Sequence, residues 1–262
     1  PGDAAILYRT NAQSRALEEE LQRSGLRYVI VGSIRFYERR EIKDMLTYLR
    51  LLANPSDDVG LRRVINVPRR GIGDTSLDYV QRHALNNGLS LYAAIGQLNS
   101  IEGLNTRAKK QIAIFRCIME ELSVVSKSAG LAELGQLVFE QSGYLQMLRD
   151  ENSPEAQMRE ENVEQLIAFM TEFSDTREEA TLQTFLEEIA LMSPMDETEG
   201  NGNAITLMTL HSAKGLEYPV VFMCGMEENL FPTARTVEES RLNPRAIEEE
   251  RRLCYVGITR AR

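Results

Sequence analysis

The sequence lacks the features that crosslink a chain, anchor it in a membrane or export it. Its three cysteines, Cys117, Cys224 and Cys254, are widely spaced and odd in number, so neither a disulfide framework nor a CxxC zinc site is predicted. We expect all three to be core residues. No apolar run of about 18 residues occurs, and residues 1–3 begin no signal peptide. These absences predict a soluble, cytoplasmic protein.

The chain also has fewer basic than acidic residues. The chain has 39 acidic and 30 basic residues, a net charge of −9 and a pI near 5.0. A protein that grips nucleic acid over its whole surface is usually basic, so any such contact must be local. The length of 262 residues fits one large domain or two modest ones. No internal repeat is present, which excludes a solenoid.

The first fifty residues alternate between strand and helix patterns. Ala4–Tyr8 is a short apolar run typical of a buried strand, and residues 11–21 have a helical pattern that ends near Gly25. Tyr28–Val31 is a second predicted strand, and from Glu41 onward apolar residues recur at helical spacing. This order predicts a parallel α/β sheet.

The middle of the chain, residues 54–199, has helical patterns and no convincing strand. The two clearest helical stripes are Val163, Leu166, Ile167, Met170 and Phe173, and, after the candidate cap Thr181, Leu182, Phe185, Leu186 and Ile189. A polar linker at 196–203 ends this block, and strands are predicted again at 204–210 and 219–224. Neither flank has enough strands for a two-sided sheet. We therefore predict one α/β domain, residues 1–53 and 200–262, interrupted by an all-helical insertion at 54–199.

The last stretch, residues 247–262, is ambiguous because 253–258 could be a strand by composition. The charged run at 248–252 favours a helix, with Glu248 and Arg252 spaced to pair at i,i+4. We predict a helix.

A polar turn between two predicted strands, residues 206–222, carries the best candidates for chemistry. It follows the carboxyl end of a strand, where open α/β sheets bind ligands. His211, Lys214 and Glu217 are its reactive side chains, and Gly215 would let the backbone approach a bound group. By spacing alone, a solvated turn with incidental charges is equally admissible.

The string Thr-Leu-His-Ser-Ala-Lys-Gly-Leu-Glu at 209–217 closely resembles motif V of the UvrD/Rep/PcrA family of superfamily 1 DNA helicases. Residues 248–262 resemble motif VI, residues 225–232 the loop after motif V, and residues 36–44 motif IVa. The resemblance covers essentially the whole chain. It implies a RecA-like second motor domain with a helical insertion, from an ATP-dependent 3′-to-5′ DNA helicase of repair or replication.

The resemblance also implies roles for the nucleotide. Arg260 would be the catalytic arginine finger that reaches the γ-phosphate. Glu217 would bind the ribose and Gly215 would lie near the phosphates. ATP and Mg²⁺ are thus the cofactors expected for the full-length protein, and the first motor domain is expected as a partner.

The expected DNA contacts fall in three places. Thr209 and His211 would face DNA phosphates, and Tyr37 and Arg39 would lie on the single-strand side, where a ring stacks on any base. The third place is a basic Gly-Ile-Gly turn that would hold duplex phosphates ahead of the fork; its candidate residues are Arg69, Arg70, Gly71 and Gly73. Without the resemblance, this is a tight turn with Asp74 or Thr75 capping a helix.

No GxxxxGK[ST] phosphate loop and no Walker B string occurs in the sequence. The family's motif IV would lie upstream, and Tyr8-Arg9 is not expected to be it. We therefore expect this polypeptide alone neither to hydrolyse ATP nor to unwind DNA. Two other interpretations stay open: a regulatory module that docks repair proteins, and part of a helicase-nuclease of the RecB or AddA kind. A phosphate loop in the parent chain would favour the motor over the docking module.

Overall fold

The computed structural model describes residues 1–32, 34–191, 203–241 and 243–262. Two compact units are present: an α/β unit, Pro1–Arg39 with Met192–Arg262, and a helical unit, Arg40–Leu191. The predicted fold class, a parallel sheet interrupted by a helical insertion, is confirmed. Residues 196–202 of the predicted linker lie outside the described residues.

The helices and strands follow the predicted order. The α/β unit begins with β1 (Ala4–Tyr8), α1 (Ser14–Arg23) and β2 (Tyr28–Val31). The helical unit holds α2 (Arg40–Ala53), α3 (Asp58–Val64), α4 (Asp74–Asn87), α5 (Leu91–Ala94), α6 (Thr106–Val125), α7 (Leu131–Gln141), α8 (Tyr144–Glu151), α9 (Pro154–Thr176) and α10 (Leu182–Leu191). The α/β unit resumes with β3 (Ile205–Thr209), β4 (Val220–Met223), α11 (Ala234–Ser240) and α12 (Arg245–Ile258). Short 3-10 helices lie at Asn11–Gln13, Phe36–Glu38 and Ile95–Ser100.

The four strands are parallel in the order β2-β3-β1-β4. Side chains of a strand alternate between the two faces of a sheet. Leu7 of β1 therefore packs with Leu253 of α12 on one face, whereas the next residue, Tyr8, packs with Leu21 of α1 on the other. Both faces of the central strand are covered, as a parallel sheet requires.

The boundary between the units falls earlier than the pattern suggested. We expected residues 1–53 in the α/β domain, but α2 lies in the helical unit. Its buried polar side chains explain this grouping, because Glu41 accepts a hydrogen bond from Asn162 of α9 (2.6 Å) and Asp44 accepts one from Tyr144 of α8 (3.1 Å). These contacts tie α2 to helices more than 90 residues later in the chain.

The predicted stripes of α9 and α10 are largely buried. Leu166, Met170 and Phe173 of α9 pack inside, as do Phe185 and Ile189 of α10. The rings of Phe173 and Phe185 meet edge to face, with centroids 5.4 Å apart. Thr181 caps α10 as predicted, since its hydroxyl accepts from the Thr184 amide at 3.1 Å.

The C-terminal helix is confirmed, with two corrections. It ends at Ile258, so Arg260 lies in the turn that follows. The expected Glu248–Arg252 pair is absent, because each arginine bonds the glutamate three residues before it: Arg251 bonds Glu248 at 2.7 Å and Arg252 bonds Glu249 at 3.3 Å. Both spacings bring side chains together on a helix.

The cysteines depart from the expected core placement. Cys117 is exposed, and Cys224 and Cys254 are half-buried. All three are free thiols. Across the described residues, every helix falls short of the length and apolar character needed to cross a bilayer.

Candidate functional site

The first candidate site lies beside the amino end of β4, where Arg260 meets the turn around Gly215. The Arg260 guanidinium donates from Nη1 to the carbonyl of Leu216 at 3.1 Å. Its Nε donates to Val256 (2.8 Å) and its Nη2 to Thr259 (2.8 Å). The backbone is joined as well, because the Tyr218 amide donates to the Arg260 carbonyl at 2.9 Å. Two segments more than 40 residues apart in the chain thus form one site.

The turn itself is open. Gly215 has φ +87°, and a Cβ placed there would meet nothing within 4 Å. A left-handed φ favours glycine, and the missing side chain leaves the backbone accessible. Two residues later the Glu217 carboxylate is exposed and accepts from Arg262 Nε at 2.9 Å. An open backbone, a carboxylate and a guanidinium therefore lie close together, a set that suits a phosphate next to a hydroxyl-bearing sugar.

The second candidate site lies at the opposite edge of the sheet. Thr209 ends β3, and its hydroxyl accepts from the Ser212 amide at 3.2 Å. His211 is exposed at this carboxyl edge, and partial burial of its ring, with the nearby Arg9 guanidinium, lowers the pKa of His211 below its ordinary value. We expected Glu217 at this edge too, which is wrong. β4 is parallel to β3, so the connection must return to the amino edge, where β4 starts beside Ala4.

A buried ion pair at the carboxyl edge was not foreseen. Arg9, just past β1, donates Nε and Nη2 to both carboxylate oxygens of Glu250 on α12, at 2.7–3.1 Å. Thr236 of α11 donates to the same carboxylate at 3.1 Å. The pair joins residues 241 positions apart, a separation over which local patterns carry no signal. It fixes α12, and hence the turn with Arg260, to the sheet.

Helix α1 contacts the segment around Tyr37 through hydrogen bonds. The Tyr37 hydroxyl donates to Glu19 at 2.5 Å, and burial together with that carboxylate raises the pKa of Tyr37 above its ordinary value. Arg39 is only 6% exposed and donates to Ser14 (2.7 Å) and to the carbonyl of Ile34 (3.2 Å). The expected DNA contact by Arg39 is therefore corrected, because its guanidinium has a structural role inside the unit.

Arg69 and Arg70, adjacent in sequence, have opposite environments. Arg69 is exposed and makes no hydrogen bond or ion pair within the described part of the chain. Arg70 points inward: Nη2 donates to the Tyr48 hydroxyl (2.9 Å) and to the Ser142 carbonyl (2.7 Å), and Nη1 lies 3.1–3.3 Å from three further carbonyls. It also lies 5.3 Å from the Phe115 ring centroid. Arg70 is thus a structural residue, and the expectation that it contacts DNA is corrected.

The Gly-Ile-Gly turn presents backbone rather than side chains. Gly71 has φ +76°, and Gly73 is the N-cap of the 14-residue α4. Asn66 holds the turn, since its Oδ1 accepts from the amides of Arg70 (2.8 Å) and Ile72 (3.3 Å). Gly73 has no side chain to bond the first amides of α4, and the Ser76 amide already donates to the Gly73 carbonyl at 2.9 Å. The amides of Asp74 and Thr75 make no hydrogen bond in the described part of the chain and are the ones that an anion could use.

These features define the chain as a RecA-like α/β unit with a helical insertion and with candidate sites at two opposite edges of its sheet. The model of the UvrD-like helicase C-terminal domain matches residues 2–262. The chain belongs to that family.

Similar proteins carry helicase names. The chain is 46% identical over 265 residues to the ATP-dependent DNA helicase PcrA of Bacillus subtilis, and 43% identical over 261 residues to that of Staphylococcus aureus. A Staphylococcus epidermidis protein of the same name is 42% identical over 261 residues. Each alignment covers 99% of this chain and 35% of the relative. The chain therefore spans about a third of the length of these relatives.

Proposed function

We propose that this chain supplies the second motor domain and the helical insertion of an ATP-dependent 3′-to-5′ DNA helicase. One observation carries the proposal: the Arg260 guanidinium bonds the Leu216 carbonyl, between Gly215 and Glu217. The family membership and the names of the relatives support it. We place this motor in DNA repair or replication in the cytoplasm, with a first motor domain of the same parent chain as its partner.

The nucleotide wall of this motor would consist of the three residues at the amino edge. Gly215 offers an open backbone to the phosphates, and the exposed Glu217 carboxylate can accept bonds from ribose hydroxyls. Arg260 would exchange its present carbonyl and hydroxyl acceptors for phosphate oxygens, which bind a guanidinium more strongly. An arginine finger accelerates hydrolysis by about 10³- to 10⁵-fold.

The DNA contacts of the proposal use groups that are at least partly exposed. Thr209 and His211 lie at the carboxyl edge, and Arg69 is exposed two residues before Gly71 and four before Gly73. Uncharged hydroxyl and amide groups can bond phosphate oxygens without reading sequence. We propose that Tyr37 contacts DNA through its ring, and that Arg39 and Arg70 make no DNA contact.

The remaining motor parts are proposed to come from the parent chain. The sequence has no phosphate loop, and the described residues hold no cluster of three or more side chains suited to a metal ion. We therefore propose that Mg²⁺ and the ATP phosphates are held by the first motor domain. This chain alone should bind DNA weakly and hydrolyse no ATP.

A strand-displacement assay tests the proposal on the full-length parent. We expect ATP-dependent unwinding of a duplex with a 3′ single-stranded tail and little unwinding of its 5′-tailed counterpart. Omission of ATP serves as the control and should abolish strand release. Equal unwinding of both substrates would overturn the polarity, and failure on both would overturn the helicase assignment.

A further inference from the structure

The helical unit contains a cavity that the proposed function does not use. Its volume is about 430 Å³ and it lies against one face of α4. Tyr79, Arg82, His83 and Asn86 line it from the helix, at the spacing that puts side chains on a single face. Residues 100–103 form the opposite wall. A volume of this size suits a ligand of roughly nucleotide size.

In the wall opposite α4, the backbone of Gly103 packs closely against the ring of Tyr79. Gly103 has φ +80°, and a Cβ there would lie 2.4 Å from a ring carbon of Tyr79. Only glycine permits this close approach of backbone and ring. The Arg82 guanidinium lies 5.7 Å from the centre of the same ring. The guanidinium lies over the face of the ring, so the two planar groups together offer a flat surface and a positive charge.

The other groups of the cavity offer hydrogen bonds at fixed positions. Nε2 of His83 lies 3.1 Å from the amide oxygen of Gln97, a contact that holds the imidazole at the wall of the cavity. Asn86, exposed on the next turn of α4, has both a donor and an acceptor, the pattern that pairs with the edge of a base. Glu102 places one negative charge at the opposite wall.

The geometry points to a binding site for an unpaired nucleotide of a DNA strand. Its base takes the place of the Arg82 guanidinium over the Tyr79 ring and is read along its edge by Asn86, while the displaced guanidinium bonds the phosphate, away from Glu102. Stacking on an aromatic side chain is the usual way that proteins hold single-stranded bases. This inference rests on the proposed DNA-binding function.

The position of the cavity on α4 suits a strand that also touches the Gly-Ile-Gly turn. At 1.5 Å per residue, Tyr79 lies roughly 9 Å along the helix axis from Gly73, and Asn86 roughly 20 Å. One rigid helix thus carries the phosphate-facing amides at its start and the cavity along its length. The proposed strand would leave the duplex at the turn and enter the cavity unpaired.

The test uses the chain as it stands and a duplex with a single-stranded tail that contains 2-aminopurine. We expect saturable quenching of the 2-aminopurine at low salt. Tyr79→Leu should abolish quenching and weaken binding about tenfold, the loss of roughly one stacked base. Arg82→Gln should weaken binding and reduce the salt slope by about one, whereas Arg50→Gln, an exposed arginine away from the cavity, should change neither.

Two charge variants identify the ligand class. Glu102→Gln should strengthen DNA binding because it removes repulsion of the phosphate, so it and Arg82→Gln shift affinity in opposite directions. A basic peptide as the true occupant would give the reverse pattern with a peptide probe and overturn the proposal. All variants should keep the wild-type circular dichroism spectrum, since the altered side chains are at least partly exposed.

The outcomes separate the cavity from the proposed function. If Arg69→Ala weakens binding of the tailed duplex while Tyr79→Leu leaves both affinity and quenching unchanged, the cavity proposal alone is overturned. If the wild-type chain binds no tailed duplex at low salt, the DNA-binding role of this chain is overturned as well.

Discussion

Replacement of Arg70 by alanine tests the structural role that the helical unit gives to this residue. The guanidinium bonds the Tyr48 hydroxyl and the Ser142 carbonyl and reaches the carbonyls of Val64, Ile65 and Pro68. Hydrogen bonds to a charged group contribute about 1.5–3 kcal/mol each, but they are not additive and half-buried carbonyls regain water. We therefore expect Arg70→Ala to lower the free energy of unfolding by about 3 kcal/mol.

The neighbouring residue supplies the control. Arg69 is exposed and without a partner in the described part of the chain, so Arg69→Ala should change stability by less than about 0.5 kcal/mol. Urea denaturation followed by circular dichroism at 222 nm measures both variants. DNA affinity should show the opposite order under native conditions, with Arg69→Ala the weaker binder. Equal stabilities for the two variants, or a loss below about 1 kcal/mol for Arg70→Ala, would refute the reasoning.

Two further predictions concern the carboxyl edge of the sheet. The side chain of Glu250 is 7% exposed and that of Arg9 is 22% exposed, so Glu250→Gln should lower the free energy of unfolding by about 1–2 kcal/mol in a denaturant titration. The control, Glu249→Gln, alters a side chain that is 73% exposed and should lower it by almost nothing. Similar losses for the two variants would argue against the pair as an anchor of α12. The folded chain holds the pKa of His211 below its ordinary value, so the unfolded state takes up the proton first and stability should fall as pH drops below about 6.5. His211→Gln should flatten that part of the melting-temperature profile, and an unchanged profile would contradict the shift.

Local patterns were sufficient for the secondary structure because it depends on neighbours in sequence. The run Ala4–Tyr8 and the run Tyr28–Val31 form strands with the predicted bounds, and the helical insertion has no strand among its described residues. The helix after Pro244 was recognised from its charged run. Its end at Ile258 was not, because residues 259–262 are polar or small and could extend a helix equally well.

The environment of each candidate residue could not be predicted, since it depends on contacts distant in sequence. Arg39 reaches Ser14, 25 positions away, and Arg70 reaches Ser142, 72 positions away. Each of these arginines is adjacent in sequence to a second arginine, Arg40 or Arg69, that is exposed. Composition therefore identified the basic segments, but only the packing shows which guanidinium in each pair faces solvent.

The positions of the polar-turn residues at the two edges of the sheet could not be predicted from the sequence either. The sequence places His211 and Glu217 six residues apart, which suggested one cluster. The parallel pairing of β3 and β4 with β1 separates them, because the chain must cross back to the amino edge before β4 begins. The resemblance implied that Arg260 and Glu217 would serve one site, but nothing in the sequence indicated that Arg9 would lie on the side of His211.

The kcat for DNA-stimulated ATP hydrolysis by the full-length helicase tests the central claim most directly. Arg260→Ala should lower kcat about 10³-fold or more while single-stranded DNA affinity stays near wild type, because the role proposed for the guanidinium is at the nucleotide and not at DNA. Arg252→Ala, whose side chain is 77% exposed on α12, should leave kcat within a few fold. An Arg260→Ala enzyme with near wild-type kcat would contradict the nucleotide wall at this edge of the sheet.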